Sequence, residues 1–303
     1  MSERQVYISG NMVPESEARI SIFDSAVMLG DTATESTRTF GHRPFKLKEH
    51  IDRLYKSLKV MRIDPGMDSG QMLGITQNVL EANLPNYAAD QDCWIVHNIS
   101  RGLSIAGSDP TVTGSGPTIM IFTQPMDLRS WAKFYDEGCH AVTAMSRSVP
   151  SQSLDARIKN RSRLAYTLAE SEVKLVDSLA QGVILDIHGN VSENKGGNIF
   201  AVTGGELRTP TTSNCLAGMS RETVLNLAKQ LGIRSVETVM QPYDLATADE
   251  VFFTSTPYCI MPATRFNGMG IGDGKVGPIT RKLLAAWSDL VGIDIVKQAR
   301  DQL

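Results

Sequence analysis

Arg157, Lys159, Arg161 and Arg163 stand at every second position of one stretch. On an extended chain they would share a face. Two readings of the pattern are open. One is an exposed basic strand edge, whose charges discourage pairing with another sheet. The other uses the crowding. Neighbouring positive charge disfavours an ammonium group and lowers a lysine pKa, and a neutral amine can attack an aldehyde. On that reading Lys159 is a nucleophile for Schiff-base chemistry. Further on, Val191-Ser192-Glu193-Asn194-Lys195-Gly196-Gly197-Asn198-Ile199-Phe200 sets a carboxylate, Glu193, in a turn. By residue type alone, Glu193 and Lys195 read as surface groups.

Other chemistries find little support. The four cysteines (Cys93, Cys139, Cys215, Cys259) are far apart and form no CxxC, so they read as buried thiols in a reducing, cytoplasmic compartment. The five histidines lack the i, i+4 spacing of a helical zinc pair, and no metal is expected. A net charge of −3 gives no footprint for nucleic acid or an anionic membrane. No apolar run approaches the ~20 residues that span a bilayer, and the polar Met1-Ser2-Glu3-Arg4-Gln5 start does not read as a signal peptide.

The elements that must position these groups follow from periodicity. Gln5 to Gly10 alternates as an edge strand, Ile20 to Asp24 reads as a second short strand, and Thr34 to Phe40 alternates again. Ile51, Leu54, Tyr55, Leu58 and Met61 fall on one face of a helix over 49–61. Arg53 lies off that stripe and reads as solvated. A second amphipathic helix carries Met72, Ile75, Val79 and Ala82, and Pro85 stops it. Strands follow at 93–100 and 118–122, separated by a Gly-, Ser-, Thr- and Pro-rich loop over 104–117. In the second half a strand over 140–145 precedes the Lys159 segment. A helix over about 162–177 and strands over 182–189 and 198–202 come after it. Ser220 is a plausible N-cap for a helix burying Val224, Leu227, Ala228 and Leu231, and a strand over 250–256 breaks at Pro257. The last helix opens at Pro278 and is expected to bury Ile279, Leu283, Trp287 and Leu290. Short strands with segregated helices argue for an α+β fold, and the length suits two domains. We expect a small N-terminal domain over 1–124, a linker over 125–131 and a C-terminal domain over 132–303.

Ile158-Lys159-Asn160 before a helix, then Ser192-Glu193-x-x-Gly196-x-Asn198-Ile199-Phe200, then Leu216-x-Gly218-Met219-Ser220-Arg221, resembles the class IV aminotransferases. Glu49-His50-Ile51-x-Arg53-Leu54-x-x-Ser57 and Gly277-Pro278-Ile279-Thr280-Arg281-Lys282 extend the resemblance to nearly the whole chain. The family comprises fold type IV pyridoxal 5'-phosphate (PLP) enzymes, including branched-chain, D-amino-acid and (R)-amine transaminases and aminodeoxychorismate lyase. The resemblance implies a small N-terminal α/β domain and a larger pseudo-barrel domain. It implies PLP linked to Lys159, a pyridine nitrogen held by Glu193, and a phosphate held by Arg53, Met219, Ser220 and Thr256. It also implies a homodimer or higher homo-oligomer, with a loop from the partner subunit completing the pocket.

Departures from the pattern bear on specificity. Leu164 stands where many branched-chain enzymes have a tyrosine five residues after the lysine, and Leu29 replaces another pocket tyrosine. Trp94 and Val96 stand at an aromatic and an arginine that help hold the substrate carboxylate in branched-chain enzymes, while Arg38 is kept. Ile105-Ala106-Gly107-Ser108 lacks the arginine and histidine of D-amino-acid enzymes. Ser100-Arg101-Gly102-Leu103, Ile121 to Pro125 and Met261-Pro262 are somewhat closer to the (R)-amine group. Arg38, Trp94 and Pro257 are the substrate-binding candidates. The resemblance implies a transaminase moving an amino group from an amino acid or (R)-amine to a keto acid. The alternatives are a lyase of the aminodeoxychorismate type and a PLP-binding homologue without turnover.

Overall fold

The computed structural model describes residues 3–104 and 116–303, so the departure expected at 105–108 lies outside the described residues. Two compact units are present: Met1–Met126 with Ile158–Ser162, and Asp127–Arg157 with Arg163–Leu303. The fold is α+β, as expected.

The first unit is built on six strands: β1 (Gln5–Ile8), β2 (Asn11–Pro14), β3 (Thr32–Phe40), β4 (Arg43–Pro44), β5 (Cys93–Ser100) and β6 (Thr118–Pro125). Their order is β2-β1-β6-β5-β3-β4. Threonine-rich β3 and β5, with its Ile, Val and Trp, suit a pleated surface covered by packing. Their antiparallel register, Thr32 opposite Ser100 through Arg38 opposite Trp94, sorts the residues by face. Thr34, Ser36, Arg38, Trp94, Val96 and Asn98 point one way; Ala33, Glu35, Thr37, Ile95, His97 and Ile99 point the other. Ala33, Ile95 and Ile99 join one core with Leu47, Ile51, Leu54 and Leu58 of the Leu47–Met61 helix and Met72 and Val79 of the Ser69–Asn83 helix. The second helix opens on a capping box between Asp68 and Gln71.

The expected strand over 20–24 is absent. Asp24 instead caps a short helix, Ser25–Met28, by accepting from Ala26 N at 2.8 Å. Its carboxylate also accepts from the Ser100 and Thr118 hydroxyls at 2.6 Å each. A residue committed to three donors holds a turn, whatever the apolar character of Ile20, Ile22 and Phe23.

The second unit carries nine strands: β7 (Cys139–Arg147), β8 (Gln181–Leu185), β9 (Val191–Glu193), β10 (Asn198–Thr203), β11 (Glu206–Pro210), β12 (Ser235–Thr238), β13 (Glu250–Ser255), β14 (Cys259–Phe266) and β15 (Met269–Gly270). The path is β12-β11-β10-β13-β14-β7-β8-β9, with β15 on β14. β7 pairs in parallel with both β8 and β14, whereas β10, β13 and β14 are antiparallel neighbours. The Leu164–Val176 helix crosses between parallel β7 and β8 and buries Ala169 and Val173. The Pro278–Val291 helix buries Thr280, Leu283, Leu284 and Trp287. Ile279 is only half-buried and Leu290 is exposed, so the inward stripe is turned from the one expected.

Gly197 sits where β10 approaches β13 so closely that a Cβ would overlap the Thr254 carbonyl and crowd the Tyr258 hydroxyl. Backbone on one side and a buried ring on the other leave little room to relax. Gly197→Ala is expected to lower stability by about 1–3 kcal/mol through overpacking, read as a lower urea midpoint with an unchanged m-value. An unaltered midpoint would show that the β10–β13 approach can open without cost.

Candidate active site

In the first unit the groups gather around the short stretch Ile158–Ser162. Asn160 bridges Ala33 antiparallel, Thr34 N donates to the Lys159 carbonyl at 2.9 Å and Arg161 N donates to the Thr32 carbonyl at 3.0 Å. These bonds add the stretch to the edge of β3. Lys159 therefore counts with the first unit, although the sequence reading places it in the C-terminal domain. Its own amide donates to Ser57 Oγ at 3.1 Å. The expected four-residue basic face does not form, because only the middle of the run is extended. Arg157 turns back onto Asp155 and Arg163 lies over the Tyr166 ring at 3.7 Å. Lys159 and Arg161 remain on one side of the extended stretch.

Beside Ser57 on the same helix lie His50 and Arg53. Both are buried, and Arg53 is not solvated as the helical stripe suggests. Both meet Glu35, whose carboxylate is completely buried on β3. It accepts from Arg53 Nε at 2.8 Å and Nη2 at 2.7 Å, bonds His50 Nδ1 at 3.0 Å and accepts from Ser36 N at 2.9 Å. Burial pushes the Glu35 pKa up, but Arg53 and His50 outweigh it and hold the carboxyl well below its ordinary range. Burial also lowers the His50 pKa, against the pull of Glu35 and with help from Arg53 and Lys159. Sequence reasoning misses Glu35 and His50 as site residues. The signal available is a carboxylate in register with the inward residues Ala33 and Ile95.

Arg38 has partners within the first unit. It is fully buried, lies over the Phe40 ring at 3.9 Å, donates to the Thr39 carbonyl at 3.1 Å and pairs with buried Asp92 at 3.5 Å. Its charge is met by Asp92, so a substrate carboxylate would have to compete with that pair. Trp94 is half-buried on the strand face it shares with Val96, which is buried.

The second unit holds the other half of the candidate set. Glu193 ends β9 and is 5% exposed. Its Oε1 accepts from Tyr166 Oη at 2.6 Å and its Oε2 from Leu216 N at 3.0 Å. Burial and the facing carboxylate both raise the Tyr166 pKa, so the proton stays on the phenol and Glu193 is the acceptor. Leu216 leads to Gly218, the N-cap of the Met219–Gln230 helix, in place of the expected Ser220. A Cβ at Gly218 would collide with Asn198 Oδ1, so a larger residue there would displace the Asn198 side chain. Gly218 supplies no side-chain cap, which leaves the Met219 and Ser220 amides in an uncapped first turn. Thr254 Oγ1 is buried without a partner on β13; Thr256 is half-buried just beyond the strand, and Pro257 is buried next to it. Leu164 is exposed, and the residue of that helix that reaches Glu193 is Tyr166. Lys195 pairs with Glu170. Among the described residues no cluster of histidine, cysteine and carboxylate could hold a metal, and no helix is long and apolar enough to cross a membrane.

This donor set fits PLP. A buried carboxylate fixed by Tyr166 and Leu216 retains lone pairs for a pyridinium N–H. An uncapped helix N-terminus with an orphaned hydroxyl in the same unit suits a phosphate. Comparison with known proteins gives the same class. Residues 32–266 match the family model of amino-transferase class IV. The chain is 34% identical over 287 residues to a putative branched-chain-amino-acid aminotransferase of Methanocaldococcus jannaschii, covering 94% of this chain and 96% of that one. The crystal structure of the Escherichia coli branched-chain amino acid aminotransferase superposes with a TM-score of 0.88 at 26% identity, over 96% of this chain and 95% of that one. The branched-chain aminotransferase of the thermophilic archaeon Thermoproteus uzoniensis, crystallised with norvaline, superposes with a TM-score of 0.85 at 25% identity, over 96% of each chain. Fold and site thus define a PLP-dependent transaminase of fold type IV. The chain belongs to the class IV aminotransferases.

Proposed function

We propose that this enzyme transfers the amino group of a branched-chain or similar apolar L-amino acid to a 2-oxo acid, with Lys159 as the cofactor-bearing and proton-moving residue. The observation that carries the substrate reading is the likeness to the Methanocaldococcus jannaschii relative, which runs through 94% of this chain. Bound PLP supplies an aldehyde that takes up amines and a ring that accepts the electron pair left when the donor's Cα–H bond breaks. Lys159 would hold the cofactor through its Nζ, and the same Nζ, once free, would be the base that takes up the donor's Cα proton and gives it back. Release of the donor as a 2-oxo acid would consume one water, which supplies the carbonyl oxygen while the amino group stays behind, and Lys159 would serve as acid and base in the reverse direction for the acceptor. Glu193, a carboxylate held by Tyr166 and Leu216, would accept from the ring N–H and keep that nitrogen protonated. The groups that would hold the phosphate are the Met219 and Ser220 amides and the Thr256 hydroxyl of the second unit, with Arg53 of the first as the family's phosphate arginine. Trp94 and Pro257 remain candidates to line the substrate side.

The working form is a homodimer or a larger homo-oligomer. Ile22, Phe23, Val27, Met28 and Leu29 lie close together in sequence and are all more than half exposed, a patch that suits burial against a second copy. We place the link between domains at 125–131, across the step from Met126 to Asp127 that separates the units. All four cysteines are free and buried, which fits the reducing, cytoplasmic location read from their spacing.

The test is a donor panel. L-Leucine, D-alanine and (R)-1-phenylethylamine are added separately to the holoenzyme and the visible cofactor band is followed. L-Leucine is expected to bleach it fastest, and 2-oxoglutarate to restore it. Bleaching by the (R)-amine alone would transfer the substrate reading to amines. Bleaching without return on adding the oxo acid would favour the lyase chemistry.

A further inference from the structure

We infer that Tyr166 is a positioning residue for the cofactor's ring nitrogen, acting through Glu193. The inference rests on the role proposed for Glu193 and adds a residue to it. Three observations in the second unit support it. Tyr166 Oη donates to Glu193 Oε1 at 2.6 Å, a short bond of the charge-assisted kind. Leu216 N donates to the other oxygen at 3.0 Å, so the carboxylate is fixed at both ends. Burial of Glu193 to 5% exposure leaves little water to replace a lost donor.

The surroundings hold the phenol in place. Arg163 lies 3.7 Å from the Tyr166 ring, and its guanidinium donates to the Lys195 carbonyl in the turn just after Glu193. Ala169 and Val173, a turn or two along the same helix, are buried against β7 and β8, and Tyr166 packs at the edge of that cluster. The helix that starts just after the Lys159 segment thus reaches Glu193 through Tyr166, while Leu164 at its start is exposed. The Tyr166 O–H keeps the carboxylate aimed. With the phenol oxygen gone, the carboxylate loses its short charge-assisted bond and gains freedom to rotate about Cγ–Cδ.

The experiment is a double-variant cycle with Tyr166→Phe and Glu193→Gln. Phenylalanine keeps the ring on which Arg163 lies, so the helix stays packed. The readouts are the PLP dissociation constant of the apoenzyme, obtained by titration, and kcat and KM of the holoenzyme with L-leucine. Tyr166→Phe is expected to weaken PLP binding and lower kcat by about tenfold each, the value of one hydrogen bond to a charged group, with KM changed less than about twofold. In the Glu193→Gln background the same change is expected to cost less than about twofold. Equal losses in both backgrounds would make Tyr166 a packing residue only. A silent Tyr166→Phe beside an impaired Glu193→Gln would overturn this inference and leave the Glu193 role standing. A Glu193→Gln variant with native PLP affinity and kcat would remove both.

Discussion

Lys159→Ala is expected to abolish the visible band of lysine-linked PLP and to lower transamination by about ten-thousandfold or more, as removal of a residue that is both attachment point and proton carrier should. The variant should still fold. Lys159 is only half-buried, and the bonds that tie its stretch to β3 come from backbone groups of Thr34, Arg161 and Lys159. Apo-protein secondary structure and urea midpoint are the controls. Adding methylamine to the variant should restore a fraction of the activity, because a free amine can take up and return the proton from solution. If the variant retains a lysine-linked band, another lysine bears the cofactor; Lys195 is the rival by sequence, although it is occupied by Glu170 at the surface.

Glu35→Ala should carry the largest stability penalty. It would leave the guanidinium of Arg53 and the ring of His50 in a site where Glu35 is wholly buried and Arg53 is 8% exposed. Removing one partner of a buried ion pair costs about 3–5 kcal/mol, most of it the stranded charge. Cofactor affinity should fall as well, since Arg53 loses the carboxylate that orients it. The pH dependence has a definite sign. The folded-state pKa of Glu35 lies below the unfolded value of about 4.3. Its contribution is therefore complete above that value and is lost as the pH falls toward the depressed one. Urea midpoints of wild type and Glu35→Gln, measured from pH 8 to pH 3, should differ by a constant amount down to about pH 5 and converge below about pH 4. A gap that widened in acid would mean that Glu35 is not held as an anion in the folded protein.

These residues also show what a sequence can and cannot reveal. The Leu47–Met61 helix is legible because its inward stripe is a local pattern. Arg53 is not, because what buries it is Glu35 on a different element, and helical phase contains no information about β3. Glu35 itself lies in Thr-Ala-Thr-Glu-Ser-Thr-Arg-Thr, where polar residues occupy both faces and alternation does not say which side is in. Arg38 reads as a pocket cation because the family pattern keeps it; its partner Asp92 lies just before β5 and is brought near by the β3–β5 register. Asp24 shows the converse. An apolar run suggests a strand, and one carboxylate satisfying three donors makes it a turn.

On the Glu193 side, the motif from Ser192 to Phe200 locates the carboxylate, but not its donor. The motif offers no residue for that role; the helix begins at Leu164, and its phase turns Tyr166 toward Glu193. Where a helix starts after an extended stretch depends on tertiary contacts, here the Arg163–Tyr166 stacking and the burial of Ala169 and Val173. The uncapped start of the Met219–Gln230 helix is half legible. Residue type favours Ser220 as the cap, but the helix is entered at Gly218, where the Asn198 side chain comes close.

The central claim is that Lys159 bears the cofactor. It is tested most directly by reducing the holoenzyme with borohydride, digesting it and mapping the phosphopyridoxyl group by mass spectrometry. The added mass is expected on the peptide containing Ile158-Lys159-Asn160, at Lys159, with Lys195 unmodified. The label on Lys195 or any other lysine, or no labelled peptide from a protein that shows the visible band, would contradict it.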